Sequence, residues 1–180
     1  MKKLVFTLIL FVLCNPLNQI MAQERVISLS REIILTVDYS QNLEEMIKTS
    51  NYEWISFDIT EEKFPFPAEL LGKQVTVSAR LFHFNREVSS EVVLDELDSA
   101  GYRPALVSEL LALGNNYPEL QKPSFIIALG SMWCWWSHNE EGYAEAYCPV
   151  LSINCEERQL YFQWFDAIRA PDSYFLAVRK

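Results

Sequence analysis

The chain has 180 residues, half of them apolar, with 24 acidic and 15 basic side chains and a formal net charge of −9. That balance argues against a binder of nucleic acid or of an anionic membrane, because phosphate contact needs a basic surface. It suits a solvated extracellular surface or a cationic partner.

Met1-Lys2-Lys3, the apolar run from Leu4 to Leu13, and Ile20-Met21-Ala22 before Gln23 predict a secretory signal peptide over residues 1–22. The run is too short to span a bilayer. Cys14 follows Leu13 rather than the small residue that lipid attachment prefers. A mature chain from Gln23 is expected, secreted or periplasmic and without a membrane span. Losing Lys2 and Lys3 and no acid takes its charge from −9 to about −11.

The stretch Glu32 to Tyr39 is β-branched and partly alternating, which predicts a strand. Ser40 is then expected to cap a short helix whose apolar face holds Leu43, Met46 and Ile47. Trp54, Phe57, Phe64 and Phe66 follow in a proline-bearing segment and are expected to pack on the core. From Gln74 to Phe84, Val75, Val77, Ala79 and Leu81 alternate with mostly polar residues, predicting a second strand with a defined core face. Ser89 stands as an N-cap between Val88 and Val93, and Val93, Leu94, Leu97 and Ala100 form the stripe of a helix that Gly101 ends. Another helix carries Leu106, Leu110, Leu111 and Leu113, with Gly114 at its end. Phe125 to Leu129, Tyr147 to Ile153, Gln159 to Phe165 and Tyr174 to Val178 then read as strands, and the whole as an α+β arrangement.

Three cysteines lie in the expected mature chain, Cys134, Cys148 and Cys155. In an oxidising compartment an odd number predicts one disulfide and one free or intermolecular thiol, with all three pairings open. No zinc spacing, phosphate loop, dinucleotide fingerprint, Gly-x-Ser-x-Gly or His-Glu-x-x-His occurs, so neither a cofactor nor a metal nor a catalytic set is expected. His83, in an alternating strand, is expected to be structural, whereas His138 lies in the polar loop Trp136-Ser137-His138-Asn139-Glu140-Glu141.

The aromatic cluster Trp133, Trp135, Trp136, Tyr143, Tyr147, Tyr161 and Trp164 carries the most contact potential. In a strand Trp133 and Trp135 would face one side and Cys134 and Trp136 the other, so some rings must leave the core. Trp133 and Trp164 are expected in the core. Trp135 and Trp136 suit core and contact equally.

The segment Gly101-Tyr102-Arg103-Pro104-Ala105-Leu106-Val107-Ser108-Glu109-Leu110, entering the later helix before several strands and a final C-terminal strand, resembles the C-type lectin-like fold. It is closest in kind to the bacterial branch, with its formylglycine-generating-enzyme-like domains and diversity-generating-retroelement variable proteins. Gly101, Tyr102, Arg103, Glu109 and Leu110 match that branch's Gly-Trp-Arg-Leu-Pro-Thr-x-x-Glu-Trp segment, with the proline moved to Pro104 and Leu106 in place of the capping threonine. The resemblance implies a domain over residues 74–180, with two helices on a mostly antiparallel sheet whose first and last strands, Gln74 to Phe84 and Tyr174 to Val178, pair. Residues 23–73 are left as an extension. It further implies ligand binding through loops between the later strands. Neither Glu-Pro-Asn nor Trp-Asn-Asp is present to support calcium-dependent sugar binding.

The expected function is therefore a binding module that recognises an extracellular protein or glycan through Trp135, Trp136, His138, Asn139, Tyr143, Asp166 and Arg169. A structural envelope or surface-assembly subunit is the alternative, ahead of a cysteine-dependent oxidoreductase using Cys134 or Cys155.

Overall fold

The computed structural model of the protein describes residues 28–122, 125–136 and 144–180; the expected leader lies outside them. Among the described residues ten strands form one mixed sheet and three α-helices pack on it, an α+β architecture. Among the described residues no helix is long and apolar enough to cross a membrane.

The sheet is organised around β4 (Gln74–His83) and β10 (Tyr174–Arg179), which pair antiparallel from Tyr174 opposite His83 to Val178 opposite Ala79. β1 (Ser28–Leu29) and β2 (Ile33–Asp38) both pair with β4, so residues of the expected extension join the same sheet. On the far side of β10 lie β5 (Tyr102–Pro104) and β6 (Ile126–Ile127), the latter parallel to it. β6 leads to the long hairpin of β8 (Ala144–Asn154) and β9 (Glu157–Trp164). β7 (Trp133–Trp136) adds to β8, and β3 (Trp54–Ile55) closes the row parallel to β9.

Strand alternation sends successive side chains to opposite faces, and each face is covered. One core holds Leu35, Val37, Ala79, Leu151, Leu160 and Leu176 beneath α1 (Leu43–Thr49) and α3 (Val107–Asn116). The other holds Phe82, Phe84, Cys148, Val150 and Phe175 with Val93 and Leu97 of α2 (Ser90–Ser99). The extension's Leu43, Met46, Ile47, Phe64 and Phe66 are buried in the first core, so it is part of that core's packing.

Helix ends are set locally. Ser89 caps α2 by accepting from the Val92 amide, and Gly101 takes the left-handed φ of +81° just past its end. α1 starts two residues later than Ser40 would place it, because the Asp38 carboxylate accepts both the amide and the hydroxyl of Ser40. Asn42 is the cap instead, exchanging hydrogen bonds with Glu45 in a capping box.

Gly114 does not end α3, which runs on to Asn116. It lies within the helix where a Cβ would overlap the Tyr52 hydroxyl, and its carbonyl accepts from Arg158 at 2.7 Å. Arg158 also donates to the Ser50 carbonyl at 2.8 Å and lies over the Tyr52 ring at 4.4 Å, tying β9 to both helices of this face.

Leu106 has no side-chain acceptor, yet two amides at the start of α3 are satisfied. Glu109 accepts from the Leu106 amide at 2.8 Å, and the Ser131 hydroxyl accepts from the Val107 amide at 2.9 Å. Arg103 donates twice to the same Glu109 carboxylate, which is 1% exposed.

Two aromatic assignments are corrected. Trp54 is 48% exposed and Phe57 89%, because β3 is the last strand of the row and nothing among the described residues covers it. His83 is held by structure, its Nε2 within 2.7 Å of the Pro171 carbonyl and its ring stacked on Tyr174.

Candidate functional site

Register on the β7–β8–β9 ladders decides which aromatic rings meet. Trp133 stands opposite Tyr147, Trp135 opposite Glu145, Tyr147 opposite Trp164, and Pro149 opposite Phe162. Opposed residues share a face, so Trp133, Trp135, Tyr147, Phe162 and Trp164 are brought to one side of three adjacent strands. Trp133 stacks on Tyr147 with centroids 5.5 Å apart, and Phe162 meets both rings edge-on.

Trp133, Trp135, Tyr147 and Phe162 line a groove of about 450 Å³ together with Asp58, Lys63 and Glu145. The loop before Phe64 supplies Asp58 and Lys63, so residues of the expected extension build one wall. Lys63 is ion-paired with Asp58 and holds its ammonium over the Trp133 ring at 4.1 Å, a cation–π placement. On the opposite wall the Tyr147 hydroxyl donates to Glu145 at 2.7 Å, and that hydrogen bond holds the phenol above its ordinary pKa.

Trp135 is 48% exposed and Trp164 51%, against the interior expected of Trp164. Trp133 is partly buried: it packs against the first core and lines the groove at once. The backbone places Trp136 in β7 opposite Ala144. His138, Asn139 and Tyr143 lie outside the described residues. Asp166 is exposed in the turn after β9, outside the groove lining.

Arg169 is corrected from a ligand contact to an interior group, 2% exposed. Its guanidinium donates to Gln163 Oε1 at 2.8 Å, to the Trp164 carbonyl at 2.6 Å and to Cys148 Sγ at 3.3 Å. Both terminal nitrogens are thus bonded, as a buried charge requires.

The disulfide expectation is not met: Cys134, Cys148 and Cys155 are all free thiols. Cys148 and Cys155 are separated along one extended strand and its turn, roughly 20 Å at strand rise, whereas a disulfide needs Cα atoms within about 7 Å. Cys134 is exposed opposite Ala146, while Cys148 is buried against Arg169 and Gln163. Burial pushes the Cys148 thiol up to about 11 despite the guanidinium beside it, the opposite of an activated nucleophile.

Asp58, Lys63, Glu145 and Phe162 were not among the sequence's contact candidates, and Tyr147 stood there only as a member of the aromatic cluster. The alternation of Tyr147 and Phe162 in their strands, combined with the Trp133 and Trp135 pattern, carried a signal for the rings. Nothing local marked Lys63, which arrives from a turn far away in sequence.

No family model, characterised protein or solved structure compared with the chain matches it.

Proposed function

We propose that this protein is a secreted or periplasmic ligand-binding module with a C-type lectin-like arrangement, recognising an extracellular protein or glycan on the aromatic face of β7, β8 and β9. The observation that carries the reading is the groove itself, with half-exposed Trp135 on its rim and Trp133, Tyr147 and Phe162 on its floor. Large rigid rings offer contact area at low entropic cost, which is why binding surfaces favour them. The antiparallel pairing of β4 with β10 and the Arg103–Glu109 clasp in the Gly101 to Leu110 segment support the lectin-like part.

The test is capture from cell-surface extracts by the immobilised protein, with and without a metal chelator. Wild type should retain a discrete protein or glycan and Trp135→Ala should lose it, with a melting temperature within about 2 °C of wild type, since an exposed ring contributes little to stability. Equal capture by the variant would remove the groove from the reading.

A second reading, an assembly subunit, is favoured by the sheet edge at β3. Trp54, Ile55 and Phe57 are exposed there beside a strand with no outer neighbour among the described residues, and open apolar edges invite pairing with another chain. Concentration-dependent mass in solution, lost on Phe57→Lys, supports it; a monomer at all concentrations refutes it.

A further inference from the structure

The groove contains two tryptophan–carboxylate pairs, and one of them is already occupied by a cation. On the first, Lys63 places its ammonium over Trp133 while bonding Asp58. The second is built alike: Trp135 lies directly across the ladder from Glu145, a relation that puts Cβ atoms about 5 Å apart. Its ring is 48% exposed, and the Tyr147 hydroxyl fixes the carboxylate at 2.7 Å. Among the described residues no Lys or Arg pairs with Glu145 or covers Trp135.

We propose that the Trp135–Glu145 half of the groove seats the ammonium group of a lysine side chain presented by a basic partner protein. The proposal rests on the binding reading above and names its ligand class. An aromatic face attracts a cation through its quadrupole, and an adjacent carboxylate adds charge and a hydrogen-bond acceptor. The internal precedent is itself a lysine, whose ammonium lies over one ring while it meets a carboxylate oxygen. The chain's net charge of −9 draws a basic partner toward the site and repels an acidic one.

The experiment titrates the purified protein with a fluorescent glycine–lysine repeat peptide and with its Nε-acetylated twin at matched ionic strength. A chitosan oligosaccharide and a neutral glucan form the glycan arms. The lysine peptide should bind saturably, with the acetylated twin roughly tenfold weaker, in keeping with a partly desolvated cation–π contact. Trp135→Ala and Glu145→Gln should each weaken the lysine peptide about five- to tenfold while keeping wild-type melting temperatures.

Equal binding of the two peptides, or unchanged binding by both variants, overturns the proposal. If chitosan or neutral glucan binds in a Trp135-dependent manner while the peptides are not distinguished, the lysine assignment fails and the groove survives as a site. If nothing, peptide, glycan or surface extract, is retained in a Trp135-dependent manner, both readings fail.

Discussion

Arg103 grips Glu109 through two hydrogen bonds, of 3.0 and 2.6 Å, across the turn that opens α3. Glu109 is interior while the Arg103 side chain keeps 37% exposure, so the guanidinium is what makes the buried carboxylate tolerable. The hydrogen bonds to Glu109, with its charge, hold Arg103 above its ordinary pKa against the opposing effect of burial. Arg103→Ala should therefore destabilise by about 3 kcal/mol in urea denaturation. A loss under about 0.5 kcal/mol would mark the pair as an ordinary surface bridge.

The β8–β9 hairpin turns through Cys155 and Glu156, with φ of +49° and +69°, between the paired Asn154 and Glu157. Two-residue turns of this kind want Asn-Gly, because both central residues sit in the left-handed region. Cys155→Asn with Glu156→Gly should raise stability by about 1 kcal/mol. A fall in melting temperature for the double variant would show that the tip side chains hold the hairpin in some other way.

Gly114→Ala would raise intrinsic helix propensity by about 1 kcal/mol in an exposed helix. Here the added Cβ meets the Tyr52 hydroxyl and crowds Gln121 and Leu151, so net destabilisation of about 2 kcal/mol is expected. Pairing it with Tyr52→Phe should recover part of that loss in a double-mutant cycle.

Cys148 gives the chain an alkaline limit. Folding favours its neutral thiol, whose value rises from 9.0 to about 11 through burial. Its contribution is therefore complete below the ordinary thiol value and lost as pH climbs from there toward the folded value. Under reducing conditions stability should fall by roughly 2 kcal/mol between those limits. The fall should be smaller in Cys148→Ala, whose remaining slope comes from the tyrosines, Tyr52 among them, pushed up to about 12 by burial. Parallel curves for the two proteins would contradict the assignment.

Regular elements were readable where periodicity was long. β4 alternates over ten residues, and α2 has Ser89 before it and Gly101 after it. The two-residue strands β1 and β3 carry too little pattern to be seen, and tertiary pairing makes them. Trp164 was misplaced because composition says that a ring packs, while register decides which side of the sheet it meets. Arg169 was expected as a ligand contact, yet Val88 pairs with it and the carbonyls at the end of β9 turn inward to take its charge. The groove itself could not be read, since Lys63 and Asp58 reach Trp133 from another part of the chain.

The most direct test of the binding account follows the five tryptophan indole N–H resonances by NMR, assigned by single substitution, as the captured ligand is added. Trp133 and Trp135 share the groove, whereas Trp54 leans on Tyr161, a residue of the opposite face. The account predicts shifts at Trp135 and Trp133 with Trp54 unmoved; shifts at Trp54 alone would contradict it and move recognition to the open edge at β3.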